Sequence, residues 1–185
     1  SDFQKFCEGV LRTLKKYFHL SNSVLILKKT DVFVPVHSIG LEKRLLEEIR
    51  MDFNDKFIQY FIKKSHILHI SDEAPLEIKN FVQILNGEMV FPLKTLRGEL
   101  MGFLIVGSKI TGTRFDFEEI CQLNTLCDYL TMMLENITLY KEISFQKNFQ
   151  DEIFANVPSG IIGVDENGKI IIFNKFAEKI LGMKQ

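Results

Sequence analysis

Apolar residues recur at three- and four-residue spacing at Phe3, Phe6, Val10, Leu14, Tyr17 and Phe18, which predicts an amphipathic helix ending near His19 and Leu20. Ser21-Asn-Ser breaks that rhythm. Val24–Leu27 and Val32–Val36 then read as two strands joined by a tight turn around Lys29-Thr-Asp31, with Pro35 pushing the second strand toward a sheet edge. Leu41–Arg50 and Phe53–Lys64 have helical spacing, the latter with Phe57, Tyr60 and Phe61 on one side. Ile67–Ile70 reads as a short strand, and Leu76–Leu85 as a helix closed by Asn86-Gly87.

The clearest strand signal lies at Glu88–Leu93 and Leu100–Val106, separated by a turn over Thr95–Gly98. Both runs are apolar on both faces, the mark of central strands covered from two sides. Val24, Leu25, Val90, Phe91, Leu93, Phe103, Leu104 and Ile105 are the expected sheet core. From Phe115 to about Phe145 no Pro or Gly intervenes, which predicts one long helix starting near Asp116. Its main stripe is Ile120, Leu123, Cys127, Leu130, Leu134 and Ile137, and Leu126, Met133 and Tyr140 add a second apolar edge. One edge is enough to pack on the helix's own sheet. The other is then free for the first helix of the same chain or for a second copy, and a homodimer through the first and long helices is expected, with Ile120, Leu123, Cys127, Leu130, Leu134 and Ile137 as its dimer and signalling stripe.

After that helix, Ile161–Val164 and Lys169–Phe173 are short β-branched runs joined by Asp165-Glu-Asn-Gly168, whose Asn-Gly pair can close a hairpin with positive φ. Asn174 stands as an N-cap for a short helix bearing Phe176, Ile180 and Leu181, with Gly182 as its stop. A hairpin with one helix is too small to bury a core of its own.

Charge narrows the function classes. Lys and Arg are interspersed with Asp and Glu and the net charge is −1, which leaves no electrostatic footprint for nucleic acid. No apolar run approaches the roughly 20 residues of a membrane-spanning helix, so neither a signal peptide nor a membrane contact is expected within these residues. Cys7, Cys121 and Cys127 form no Cys-x-x-Cys pair and have apolar neighbours at helical spacing, which suits buried free thiols in a reducing cytoplasm. His66 and His69 are the nearest approach to a metal pair, but on a strand their spacing sends them to opposite faces. No metal is expected, and the sequence assigns no cofactor. A nucleophile elbow and a phosphate loop are also missing, so catalysis is not expected of this chain.

Helix, two strands, helices, short strand, helix, two central strands and a long helix is an α+β order with a mainly antiparallel sheet. With Met89-Val-Phe-Pro-Leu93, Arg97-Gly98 in the turn, Gly102-Phe-Leu-Ile-Val-Gly107 and Phe115-x-x-Glu118 opening the last helix, residues 1–140 resemble a GAF domain. The resemblance implies a small-ligand and dimerisation module with a pocket between the sheet and its covering helices, which maps onto Phe57, Tyr60, Phe61, Val90 or Phe91, and Phe103. Those side chains suit an apolar or aromatic small molecule, though 17 Phe and no Trp also make Phe the general core filler. The family's bilin-attaching cysteine and its Asn-Lys-Phe-Asp-Glu cyclic-nucleotide set do not transfer.

Pro158-Ser-Gly-Ile-Ile, Val164-Asp-x-Asn-Gly and Phe173-Asn resemble the opening of a PAS sensory domain. Residues 157–185 are thus expected to be the N-terminal part of such a domain, with 141–156 as a helical linker. This arrangement resembles the input region of bacterial sensor histidine kinases, non-catalytic and cytoplasmic. Alternatives with the same input logic end in a diguanylate cyclase or an AAA-type activator; an enzyme alternative is a GAF-fold methionine sulfoxide reductase.

Overall fold

The structure, a computed structural model, describes residues 2–64 and 66–182. Two compact units divide the chain, Ser1–Glu135 and Asn136–Gln185.

The first unit is built on a six-stranded antiparallel sheet in the order β3-β2-β1-β6-β5-β4. Its strands are β1 (Ser23–Lys29), β2 (Val32–Ile39), β3 (Met51–Asp52), β4 (Leu68–His69), β5 (Met89–Lys94) and β6 (Leu100–Val106). The two runs apolar on both faces are β5 and β6, and β6 pairs with the equally buried β1 at the centre of the sheet, where each face has its own layer to cover it. Leu25, Leu27, Phe91, Leu93, Leu104 and Val106 point to one layer, together with Cys7, Leu11, Leu14 and Phe18 of α1 (Asp2–Phe18) and Leu123, Cys127, Leu130 and Leu134 of α5 (Phe117–Asn156). Val24, Ile26, Val90, Phe103 and Ile105 point the other way, toward α3 (Lys56–Lys63) and α4 (Leu76–Ile84). The eight residues expected to organise the sheet core are all buried.

Two expectations are adjusted by strand pairing, and a third is explained by a cap. Helix α2 is only Lys43–Glu47, shorter than Leu41–Arg50, because the chain turns at Met51 into β3, which pairs Val32 and Phe33. Beyond those two pairs, β2 has no second neighbour among the named strands, and here Pro35 and the extra residue Val36 of a bulge opposite Leu25/Ile26 are found. The hint of an edge at Pro35 thus describes the unpaired stretch of a strand that is next to last in the sheet. The helix begun near Asp116 starts with a reciprocal cap: the Glu119 N–H donates to Asp116 Oδ1 at 2.8 Å and the Asp116 N–H to Glu119 Oε2 at 3.0 Å. Lys109 holds the same Glu119 carboxylate at 2.7 Å, tying the start of α5 to the end of the sheet.

Helix α5 runs without interruption to Asn156, so the expected boundary at 140/141 falls inside a helix, whereas the compact units divide at Glu135/Asn136. The second unit contains the end of α5, a hairpin of β7 (Ile162–Val164) and β8 (Ile170–Phe173), and α6 (Lys175–Leu181). In its turn only Gly168 takes positive φ, at 77°, and Asn167 does not. The Asp165 carboxylate accepts from the Asn167 and Lys169 N–H groups, both at 2.9 Å, and organises the loop in place of an Asn with positive φ. Asn174 caps α6 through the Ala177 N–H at 2.9 Å, and Gly182 ends the helix at φ 63°. Residues 183–185 of the expected PAS-like segment lie outside the described residues.

Candidate functional site

The aromatic residues proposed to line a pocket are brought together on the α3/α4 face, with one exception. Phe57 and Phe61 lie one helical turn apart on α3, whose first turn is fixed by the Asp55 carboxylate accepting from the Phe57 N–H at 2.8 Å. Their rings pack on Phe103 of β6 with centroids 5.0 and 5.2 Å away, and Phe33 and Phe81 extend the cluster. Val90 joins the same layer. Phe91 does not: its neighbour in sequence faces this layer, so strand alternation turns Phe91 to the α1/α5 side. The rings of Phe57, Phe61 and Phe103 meet edge-on or tilted, as packed aromatic cores do, and all three are buried.

Tyr60 sits at the rim of that cluster, its ring 5.1 Å from Phe61 and under the Lys64 ammonium at 5.4 Å. Its hydroxyl is shielded from solvent and has no hydrogen-bond partner among the described residues. A buried hydroxyl without a partner is costly, which makes it the one polar group here that a ligand or water would satisfy.

The stripe on α5 resolves into two faces. Leu123, Cys127, Leu130 and Leu134 are buried against the chain's own sheet and α1, with Ile120 packed beside them. Leu123, Cys127, Leu130 and Leu134, the buried part of the expected dimer and signalling stripe, face inward because the helix needs its main stripe to cover the sheet. Leu126, Tyr129, Met132 and Met133 are on the outer side and exposed. Between them and α1 run two adjoining apolar grooves of about 530 and 460 Å³ that share Thr13, Leu14 and Leu126. A side chain at Gly9 would meet nothing there, so the α1 wall of the groove is open. Ile137, in the second unit, is half-buried and belongs to neither core layer.

A third cavity, about 740 Å³, lies at the C-terminal end of α1 and includes Arg12, Lys15, Lys16, His19 and His37. Its charge is answered within the chain: Arg12 pairs with Glu8 at 2.5 Å, and Lys15 and Lys16 face the negative end of the α1 dipole.

His66 precedes β4, so the strand argument for opposite faces does not apply to it. His69 bonds Ser71 Oγ at 2.6 Å through Nδ1 and approaches Glu88 at 3.3 Å through Nε2. Among the described residues no group of three or more His, Cys, Asp or Glu could hold a metal ion, and no helix is long and apolar enough to cross a membrane.

The thiols divide. Burial raises the pKa of Cys7, and burial followed by the neighbouring Asp128 charge raises that of Cys127, so both stay protonated near neutral pH. Cys121 is exposed on α5, correcting the expectation of three buried thiols, because its position on the helix is turned away from the sheet. With a disulfide-exchange reagent at pH 8, we expect one thiol per chain to react rapidly, and Cys121→Ser to remove that phase. Rapid modification of two or three thiols in folded protein would overturn this packing.

No family model and no curated protein sequence matches the chain. Solved structures do. A GAF domain/HD domain protein from Geobacter sulfurreducens superposes with a TM-score of 0.59 at 15% identity, over 75% of this chain and 95% of that one. A domain attributed to a two-component sensor histidine kinase of Sinorhizobium meliloti 1021 gives 0.55 at 15%, over 76% and 97%. A methyl-accepting chemotaxis protein, residues 122 to 287, gives 0.60 at 12%, over 75% and 92%. At such identities the likeness establishes architecture alone: the chain has the α+β fold of GAF domains, with a long C-terminal helix and a small hairpin following it.

Proposed function

We propose that this chain is the non-catalytic, cytoplasmic input region of a bacterial signal-transduction protein, a sensor histidine kinase, in which the GAF-fold unit dimerises and α5 hands its state to a PAS-type module begun by β7, β8 and α6. The observation that carries the reading is the uninterrupted helix from Phe117 to Asn156, which begins on the sheet of one unit and ends in the other. A continuous helix of that kind can transmit a rotation or a register shift between modules. Similar folds in a protein attributed to a sensor kinase and in a chemotaxis protein support the signalling context. The hairpin supports the PAS reading: Ile162, Val164, Ile170, Ile171 and Ile172 are all exposed, as strands awaiting the rest of a sheet and its cover would be. A small apolar or aromatic ligand with one polar group would insert by parting the Phe57/Phe61/Phe103 cluster and satisfying the Tyr60 hydroxyl.

Self-association is assigned to the outer groove between α1 and α5, where a second copy would lay its own Leu126, Tyr129 and Met133. Removing a Leu-sized side chain from water contributes about 1.5–3 kcal/mol, so several such contacts from each copy can offset the entropy lost on association. Leu126→Glu with Met133→Glu should shift the sedimentation coefficient from dimer to monomer while leaving the circular dichroism spectrum intact, since both positions are exposed in one copy. A parent protein that sediments as a monomer at high concentration would remove the dimer. So would a variant that remains dimeric.

A further inference from the structure

The sequence presents Asn174 only as a helix N-cap, but its side chain joins three segments of the second unit. Its Oδ1 accepts from the Ala177 N–H at 2.9 Å in α6 and from the Ile161 N–H at 2.9 Å ahead of β7. Its Nδ2 donates to the Ser159 carbonyl at 2.9 Å and to the Phe154 carbonyl at 3.0 Å in the last turn of α5. The primary amide has two donors and two acceptor sites, and all four are used. The orientation is unambiguous, because both Oδ1 partners are N–H groups and both Nδ2 partners are carbonyls. The residue is buried, and its own N–H donates to the Ile161 carbonyl at 3.1 Å.

Local sequence explains why the bond to α5 exists. The Phe154 carbonyl would ordinarily accept from the residue four positions on, but that residue is Pro158, which has no N–H. Asn174 supplies the missing donor from 20 residues further along the chain. One amide thus caps the C-terminus of one helix and the N-terminus of the next, and holds the start of the hairpin between them.

We propose that Asn174 is a positioning residue that couples the last turn of α5 to the hairpin and α6, so that opening or turning of that helix end is felt at Ile161 and Ala177. This rests on the reading of α5 as a transmitting helix, though the coupling itself needs no dimer. The test is amide hydrogen exchange by NMR on the full chain, with the end of α5 loosened by Gln150→Gly and Asp151→Gly at two exposed positions. In the parent we expect this pair to lower protection of the Ile161 and Ala177 amides about fivefold or more, the scale set by the helix cost of two glycines. Asn174→Asp keeps both acceptor bonds and loses both donors, so in that background the glycine pair should change the same amides by less than about twofold.

Pro158→Ala provides a check that leaves Asn174 in place: by returning a donor to the Phe154 carbonyl, it should release one Asn174 Nδ2 proton and shift its resonance. Insensitivity of Ile161 and Ala177 to the glycine pair in the parent would overturn the proposal. An equal fall in Asn174→Asp would also do so, as would an unshifted Asn174 amide in Pro158→Ala. Repeating the measurement with Leu126→Glu and Met133→Glu separates loss of coupling from loss of association.

Discussion

Phe103→Ala is expected to destabilise the first unit by about 3–5 kcal/mol, the range for truncating a buried Phe. The magnitude follows from its surroundings: its ring meets Phe33, Phe57 and Phe61 with centroids 5.9, 5.0 and 5.2 Å away, and none of these can collapse into the space without leaving its own packing. Phe91→Ala should cost a similar amount from the opposite face, through α1 and α5. The two changes act on opposite faces of adjacent strands, one register position apart, so the single and double variants together measure how far the two layers are coupled. Against a typical domain margin of roughly 5–15 kcal/mol, the double variant should be largely unfolded. Urea unfolding followed by circular dichroism measures this, and a single variant with the parent's midpoint would refute the two-layer core.

Gly102→Ala should be comparably damaging although it adds only one methyl group. In β6 this residue pairs with Leu27 on one side and Leu93 on the other. A Cβ there would sit closer to the Ile26 carbonyl oxygen than real side chains ever approach, and 2.8 Å from Leu27 Cδ2. The first obstacle is backbone, so relief requires β1 and β6 to part at the centre of the sheet. Overpacking of this kind costs about 1–3 kcal/mol and occasionally more, and the upper end is expected here. A thermal midpoint within one degree of the parent's would show that the two strands do not approach as closely as described.

Much of this was legible in the chain. The two-sided apolar runs at β5 and β6 marked central strands, and alternation set Val90 and Phe91 on opposite faces, but only the packed structure puts Val90, not Phe91, with Phe57, Phe61 and Phe103. Of the edges, Ile67–Ile70 marked β4, but β3 was not legible, because it is two residues long and exists through its partner, Met51 pairing with Phe33. Periodicity also showed two apolar edges on α5 without revealing which one turns inward. That depends on the fixed start of the helix at Asp116, Glu119 and Lys109 relative to the sheet. For the candidate site, the pattern set Phe57 and Phe61 on one side of α3, the side that is buried. It could not show that those rings close on one another, or that the Tyr60 hydroxyl is left without a partner, since both depend on how far apart the layers sit.

The ends of the sheet have one more consequence. A long, regular edge strand would template addition of another chain, strand upon strand, and lead toward fibrous aggregation. Here one flank ends in the two-residue β4, and the other offers β2 beyond β3, where a proline lacks an N–H and a bulge at Val36 spoils the register. The six-stranded sheet is guarded in this way against open-ended growth, and the self-association proposed above would use the helical side instead, where a contact between two copies can close on itself and stop at two.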